Sequence, residues 1–235
     1  MTAAAETLEA LKGLDARTAS AIDYGRKDGT YFSGARSDIV DALPAGADAA
    51  ILEIGCGTGA TGAMALTRGK AGRYVGIELF EAAAAEARRV LSDVVVGDVE
   101  KIDLPFQPDS FDALILSEVL EHLVDPWAVL RRLAPLVRRG GRVFASSPNV
   151  AHWRVIRELS AGRFTLADQG VFDRTHMRWF TPSTYRDLFE QAGFVVDRVG
   201  PLTPFSPRTR AISWLTGGRL DHLFMVQISL AAHRR

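Results

Sequence analysis

From Ala49 onward, the chain alternates between short apolar runs and longer amphipathic stretches. Runs that are apolar on both faces are typical of strands covered by helices on each side. The predicted strands are Ala50–Ile54, Arg73–Ile77, Val94–Val96, Ala113–Leu116, Arg142–Ala145, Phe194–Val199 and Phe224–Ala231. The predicted intervening helices are Ala60–Arg68, Glu81–Leu91, Glu118–Leu123, Trp127–Val137 and Ser183–Ala192. This alternation predicts an α/β fold, with a parallel sheet and right-handed crossovers.

Other segments depart from the alternation. The pattern over Thr2–Arg17 predicts an amphipathic helix, and Ile39–Leu43 is predicted to form the end of a second helix, before Pro44. The sequence Arg138-Arg139-Gly140-Gly141 predicts a helix stop, because basic residues followed by glycine are common at helix C-termini. Val150–Thr181 is rich in His, Trp, Arg, Phe and Asp, which predicts an insertion above the sheet. Pro201, Pro204 and Pro207 predict a loop before the last strand.

The composition limits the possible classes of protein. The 235 residues suit one domain, and 28 basic residues balance 28 acidic ones. A neutral chain has no overall field that favours nucleic acid or an anionic membrane. Cys56 is the single cysteine, so no internal disulfide can form, which fits a reducing cytoplasm. We also expect no secretory signal and no membrane span, because no apolar run reaches about 20 residues.

The strongest chemical signal is a glycine-rich turn directly after the first predicted strand. Gly55, Gly57 and Gly59 stand at alternate positions, so the sequence differs from the dinucleotide fingerprint G-x-G-x-x-G. Such turns at the carboxyl ends of strands bind nucleotide-like ligands. Glu53 places a carboxylate beside the turn, which disfavours a pyrophosphate and favours a cationic ligand. By charge, S-adenosylmethionine therefore fits better than NAD.

Two further acids end the next strands. Glu78 ends the second predicted strand, where an acid can bind both ribose hydroxyls. Asp98 follows the third strand and can accept from an adenine amino group, with Val99 beside the ring. Either acid alone could be an ordinary solvated carboxylate. Together with the glycine turn they indicate one cofactor site.

Several motifs together resemble the class I S-adenosylmethionine-dependent methyltransferases, from about Tyr31 to Ala192. The runs are ILEIGCGTG, VGIE, VVVGD, FDALILSEVLEHLVDP and RRGGRVFASSPN. The resemblance implies a Rossmann-like, seven-stranded, mostly parallel sheet with an antiparallel last strand. The implied cofactor is S-adenosylmethionine, with S-adenosylhomocysteine as its product. The implied cofactor-binding residues are Glu53, Gly55, Cys56, Gly57, Gly59, Glu78, Leu79, Asp98, Val99 and Ser117. Cys56 reads as a small packing residue rather than a nucleophile.

On this resemblance the chain is one methyltransferase domain in four parts. Residues 1–45 form an N-terminal helical cap, 46–148 the cofactor-binding core, 149–181 the acceptor-site insertion and 182–235 the C-terminal part of the sheet.

The candidate catalytic residues are His176, His152, Asp173 and His122. Within the resemblance, Asp173 and His176 suggest a base oriented by a carboxylate, since residues three apart can meet on one helical turn. The alternative is a buried polar network that holds the insertion on the sheet. His122, after Glu121, is a base or a cap on the cleft.

The acceptor pocket is less well defined by the sequence. The candidate substrate-binding residues are Tyr24, Tyr31, Asn149, Trp153, Phe172, Arg178 and Trp179. No His, Asp or Glu spacing indicates a metal site, so no metal is expected.

The leading hypothesis is O-methylation, with a histidine base, of a hydroxyl on a sugar or natural-product intermediate. The segment around His176 resembles the subgroup found in such tailoring. The alternatives are N-methylation of a small amine, or a non-catalytic partner protein similar to MetW. The expected partner is a small-molecule or glycan-like acceptor, not nucleic acid. We expect a cytoplasmic monomer or homodimer.

Overall fold

The computed structural model describes residues 34–44 and 46–235, which contain seven strands and seven α-helices. The strands are β1 (Ala50–Ile54), β2 (Arg73–Glu78), β3 (Asp93–Val96), β4 (Phe111–Ser117), β5 (Val137–Pro148), β6 (Phe194–Pro201) and β7 (Gln227–Arg234). The helices are α1 (Ser37–Ala42), α2 (Ala60–Thr67), α3 (Glu81–Ala87), α4 (Pro126–Leu133), α5 (Trp153–Ser160), α6 (Pro182–Gln191) and α7 (Pro207–Thr216). The predicted helix Thr2–Arg17 lies outside the described residues.

The strands form one sheet in the order β3-β2-β1-β4-β5-β7-β6. The pairs from β3 through to β5 are parallel, whereas β7 runs antiparallel to both β5 and β6. This arrangement confirms the predicted Rossmann-like sheet with an antiparallel last strand. The order reverses between β1 and β4, which is the topological switch point where open α/β sheets bind ligands.

Alternate residues of the central strands pack into two separate hydrophobic cores, one on each face of the sheet. In β4, Ala113 and Ile115 pack in the cluster that contains residues of α1, α2 and α3. Leu114 and Leu116 pack in the cluster that contains residues of α4 and α6. Since strand side chains alternate between faces, helices cover both faces of the sheet, as predicted.

Several element boundaries differ from the sequence prediction, and the last strand is Gln227–Arg234 rather than Phe224–Ala231. The helix expected over Trp127–Val137 is α4 followed by a 3₁₀ turn at Ala134–Leu136, and β5 already begins at Val137. Arg138–Gly141 therefore does not stop a helix but lies in β5. These four residues of β5 lie opposite a single residue of β4, Asp112, because Val137 pairs with Phe111 and Arg142 pairs with Ala113. Gly140 has φ of +73°, a conformation that glycine adopts without strain.

The helix predicted over Glu118–Leu123 is a single 3₁₀ turn, Leu120–His122.

Two helices were not predicted. Helix α7 begins at Pro207, the last of the three prolines, after an irregular segment over residues 202–206. Its start follows known rules, since the Ser206 hydroxyl accepts from Thr209 N at 3.2 Å and Pro207 takes the first helical position. Helix α5 lies within the insertion, residues 149–181. Among the described residues, no helix is both long enough and apolar enough to cross a bilayer.

Candidate functional site

A cavity of about 660 Å³ lies at the carboxyl ends of β1 to β4. Nine of the ten residues implied as cofactor contacts line it: Glu53, Gly55, Cys56, Gly57, Glu78, Leu79, Asp98, Val99 and Ser117. The tenth, Gly59, is the N-cap of α2, and a Cβ there would lie 3.0 Å from Val90 Cγ2. The four strand ends therefore converge on one space.

The glycine turn, residues 55–59, approaches the cavity closely because its glycines take left-handed conformations. The φ values are +69° at Gly55, +55° at Gly57 and +83° at Gly59. A Cβ at Gly55 would lie only 2.7 Å from Val119 Cγ2. Larger residues would therefore be strained and would also fill part of the cradle.

Cys56, within the turn, is buried against Gly76, and burial raises the pKa of its thiol. A thiol that resists ionisation is a poor nucleophile, which supports its interpretation as a packing residue.

Glu53 is a buried carboxylate under the turn. Its Oε2 accepts a hydrogen bond from Tyr74 Oη at 2.9 Å. Burial raises the pKa of Glu53 to about 7, while the Tyr74 hydroxyl and Arg36 partly offset this effect. A cation in the cavity would favour the ionised form and would be stabilised by it.

Glu78 and Asp98 are fixed by backbone amides at their strand ends. Glu78 Oε2 accepts from Gly57 N at 2.9 Å, and Oε1 accepts from Phe80 N at 3.0 Å. Burial raises the pKa of Glu78, and these amides lower it in part. Asp98 Oδ1 accepts from Glu100 N at 2.9 Å, and its Oδ2 lies 3.0 Å from Lys101 Nζ. Both carboxylates thus have set orientations at the cavity.

Arg36 also lines the cavity, although it was not among the predicted site residues. Its Nη1 donates to Ser117 Oγ and, at 2.9 Å, to Ser146 Oγ. Asp38 pairs with its Nη2 at 2.8 Å. Arg36 therefore ties the segment before α1 to the ends of β4 and β5.

The far end of the cavity carries two further carboxylates that follow β4. Glu118 has φ of +54°, which is strained for a residue with a side chain. Its N–H donates to Ser146 O at 3.1 Å, and its Oε2 accepts from Gln227 Nε2 at 3.0 Å. Glu121 is 1% exposed, and both of its carboxylate oxygens are buried without a hydrogen-bond partner among the described residues. Burial, and secondly the charge of Glu118, raise the pKa of Glu121 well above its ordinary value.

Two histidines face each other beside Glu121. The ring centroids of His122 and His176 are 4.7 Å apart, and both residues line the cavity. His122 Nδ1 lies 3.2 Å from Thr175 O, and His176 Nδ1 lies 3.1 Å from Val171 O. We call Glu121, His122 and His176 the acceptor cluster, because it lies in the same cavity as the cofactor candidates but on other elements.

Asp173 is buried in the insertion, but it does not share a helical turn with His176. The segment is a tight turn in which His176 N donates to Asp173 O at 3.0 Å. Asp173 Oδ1 accepts from Thr175 N at 2.9 Å and from Thr175 Oγ1 at 2.8 Å. Thr175 in turn contacts His122. Asp173 thus organises the turn that carries His176 and, through Thr175, contacts His122.

His152 and Asn149 make contacts that hold the insertion in place. His152 is the N-cap of α5, with Nδ1 3.4 Å from Arg154 N. The Asn149 Nδ2 donates to His222 O at 2.7 Å and to Met225 O at 2.8 Å. Neither residue is among the described residues that line the cavity.

The remaining substrate candidates among the described residues do not line the cavity. Trp153 is 41% exposed and Trp179 is 38% exposed. Phe172 packs edge-on against Phe164, and the Arg178 guanidinium donates to Val124 O. The insertion residues that do line the cavity are Gln169, Gly170, Val171, Asp173, His176 and Met177. The aromatic residues of the insertion drew attention to side chains that do not line this cavity, whereas Gly170 and Val171, which do, gave no signal in the sequence. Tyr24 and Tyr31 lie outside the described residues.

The fold and cavity together define the class of protein as an S-adenosylmethionine-dependent methyltransferase. A family model described as "Methyltransferase domain" matches residues 6–199, and the chain belongs to this family. The predicted family and enzyme class are thereby confirmed, and its methyl donor is S-adenosylmethionine.

Two relatives agree with this assignment, and a solved structure shares the fold. The chain is 34% identical over 184 residues to a protein of Stutzerimonas stutzeri named ubiquinone biosynthesis O-methyltransferase, covering 75% of this chain and 76% of that relative. A protein of the same name from Aeromonas salmonicida is 30% identical over 159 residues, which are 62% of this chain. The match spans 63% of that relative's length. An S-adenosylmethionine-dependent methyltransferase structure from Mesorhizobium loti shares the fold, with a TM-score of 0.60, 22% identity and coverage of 84% and 96% of the two chains.

The residues at the cavity fit this cofactor. A positively charged donor suits the buried Glu53, whose carboxylate accepts a hydrogen bond from the Tyr74 hydroxyl. The cradle at Gly55 leaves room that a Cβ would fill. Glu78 and Asp98 present carboxylate acceptors at successive strand ends, as hydroxyl and amino donors require.

Proposed function

We propose that this methyltransferase transfers a methyl group to a hydroxyl oxygen of a small molecule. The observation that carries the proposal is one continuous cavity, with the carboxylate-lined strand ends on one side and the acceptor cluster on the other. The name of the relatives supports oxygen as the methylated atom. A sugar or natural-product hydroxyl remains within this class, and a small amine is the alternative.

The chain's residues have separate roles in this proposal. Glu53 and the glycine turn hold the methionine part of the cofactor, Glu78 the ribose, and Asp98 with Val99 the adenine. When bound, S-adenosylmethionine would supply the methyl group of its sulfonium to the acceptor oxygen and would leave as S-adenosylhomocysteine, a neutral thioether. The acceptor hydroxyl loses its proton at the acceptor cluster, where His176 is the candidate base. Positioning in a water-poor cavity supplies most of the remaining acceleration.

Two substitutions separate cofactor binding from transfer. Asp98→Ala removes a charged hydrogen-bond acceptor, so we expect roughly tenfold or greater weakening of S-adenosylhomocysteine binding by calorimetry. His176→Ala should bind S-adenosylhomocysteine like the wild type and lose methyl transfer, measured as S-adenosylhomocysteine production with panels of phenols, sugars and amines. Asp93→Ala, at the other end of β3, is the matched control for Asp98.

The outcomes distinguish the alternatives. Failure of the wild type to bind S-adenosylhomocysteine would exclude the proposal. Binding without turnover on any panel would favour the non-catalytic partner protein, and turnover confined to amines would favour N-methylation. Unchanged kcat in His176→Ala would exclude His176 as the base.

A further inference from the structure

Helix α7 is amphipathic in the opposite sense from an ordinary surface helix. Its small polar side chains, Thr209, Ser213 and Thr216, are partly buried and therefore face the rest of the molecule. Trp214 and Leu215 instead are 82% and 74% exposed, and no residue of the helix is fully buried. A surface helix of a globular protein normally turns its apolar stripe toward the core. The apolar side of α7 therefore lacks a partner among the described residues.

The exposed side chains of α7 form one continuous surface. Positions three or four apart lie on the same face of a helix. Arg208, Ile212 and Leu215 therefore lie in one row, with Ala211 and Trp214 beside it, and all five residues are exposed. We call these five residues the outer face of α7. A contiguous apolar surface of this kind is uncommon on a monomeric protein and marks an interaction site.

The charge around the outer face has one sign. Residues 202–220 contain three arginines, Arg208, Arg210 and Arg219, and neither aspartate nor glutamate. All three arginines are exposed. The chain as a whole has equal numbers of basic and acidic residues, so this segment is a local departure from neutrality. A complementary partner must therefore offer both apolar groups and negative charge.

The outer face lies at the same end of the sheet as the cavity. Helix α7 belongs to the connection between β6 and β7, and these strands meet where Pro201 pairs with Ile228. Leu202 and Val226 flank this connection, and both line the cavity. Val226 is also exposed, so it lies at the mouth of the cavity. A surface that contacts α7 would therefore lie near this mouth.

We propose that the outer face of α7 docks on an anionic lipid bilayer. Trp214, Leu215 and Ile212 enter the boundary between headgroups and acyl chains, and the arginines pair with lipid phosphates. This combination of tryptophan, leucine and isoleucine with arginine, without acids, is typical of helices that lie in a membrane interface. The neutral composition of the whole chain gave no indication of such a surface.

Two other occupants fit the outer face less well. The core of a protein–protein interface is depleted in charged residues. Arg208, however, shares a row with Ile212 and Leu215, where a long side chain can reach lipid phosphates while its stem stays in apolar surroundings. A symmetric contact with a second copy would bring the arginines of two α7 segments together. No acid within residues 202–220 could offset that repulsion.

The test measures sedimentation of the whole chain with vesicles, without cofactor or acceptor. Vesicles of equal parts phosphatidylglycerol and phosphatidylcholine should bind it at least tenfold more tightly than pure phosphatidylcholine, and added salt should weaken this binding. The double variant Trp214→Ala/Leu215→Ala should bind the mixed vesicles roughly tenfold or more weakly, because it loses most of the inserted apolar surface. Arg208→Gln/Arg210→Gln should lose a similar factor on the mixed vesicles and little on pure phosphatidylcholine.

Two matched variants control for position. Ser213→Ala changes the side of α7 that faces the protein, and Arg139→Gln removes an exposed arginine near the start of β5, at the opposite end of the sheet. Both should bind the mixed vesicles like the wild type. Thermal denaturation of every variant verifies that each is folded.

Each result decides the proposal. No vesicle binding by the wild type, or wild-type binding by Trp214→Ala/Leu215→Ala, would overturn it. Equal binding to both lipid compositions would exclude the anionic surface as the partner. A dimer that this double variant converts to a monomer, without vesicle binding by the wild type, would assign the outer face to a second copy instead. Since the assay contains neither cofactor nor acceptor, a negative result leaves the methyltransferase proposal standing.

Discussion

At the scale of single residues, Glu53 links folding to the charge of the ligand. Its pKa is 4.5 ordinarily and about 7 in the folded protein, chiefly because it is buried. Between these two values, the unfolded chain is ionised at Glu53 while the folded protein retains the proton. Unfolding therefore releases a proton, and the free energy of unfolding falls as pH rises through this window, by about 3 kcal/mol in total.

Glu53→Gln tests this linkage, because the neutral amide can still accept from Tyr74. The unliganded variant should gain stability relative to the wild type between pH 5 and pH 8, by up to about 3 kcal/mol. Urea unfolding at both pH values measures the difference. The exposed Glu86→Gln is the control and should follow the wild type at each pH. Parallel pH profiles for Glu53→Gln and wild type would mean that Glu53 is already ionised in the folded protein.

At the scale of elements, Asn149 joins the insertion to the segment before β7. It is fully buried and makes three hydrogen bonds, two from Nδ2 and one to Oδ1 from Ala151 N at 2.9 Å. Asn149→Ala removes the side-chain partner of the His222 and Met225 carbonyls and of the Ala151 amide. We expect a loss of about 2–4 kcal/mol in the free energy of unfolding, measured in urea.

Two further variants check the interpretation of Asn149. Asn149→Asp places a carboxylate against two carbonyl oxygens, so it should be at least as destabilising at neutral pH. Ser160→Ala, at the exposed end of α5, should change stability by less than about 0.5 kcal/mol. A similarly small effect of Asn149→Ala would show that the insertion is held by other contacts.

At the scale of the whole molecule, the cofactor joins the ends of four strands and should stabilise the fold by mass action. At a concentration near 100 times its Kd, S-adenosylhomocysteine should add about 2.7 kcal/mol. For a domain of this size the Tm should rise by about 5–10 °C, measured by thermal denaturation. NAD at equal concentration is the control. A shift with NAD and none with S-adenosylhomocysteine would contradict the charge argument from Glu53.

The sheet could be predicted because its signal is local. Strands covered on both faces are apolar throughout, so β1 to β4 were located to within a few residues, and the glycine turn marked the ligand-binding end. The prediction placed the start of β5 too late, because the sequence of Val137–Gly141 is typical of a helix end. Only its pairing with β4 makes this segment a strand. Helix α7 was not predicted because proline is common both in loops and at the first position of a helix, where Pro207 stands.

The sequence by itself determined the fold class and the donor side of the cavity, because each strand delivers its terminal acid to the same edge of a parallel sheet. Only the tertiary structure decided the acceptor side. Glu121 follows β4, whereas His176 comes from a turn more than fifty residues later, and no periodicity relates them. The contacts of the two histidines with the carbonyls of Thr175 and Val171 also form only when the insertion packs over the sheet.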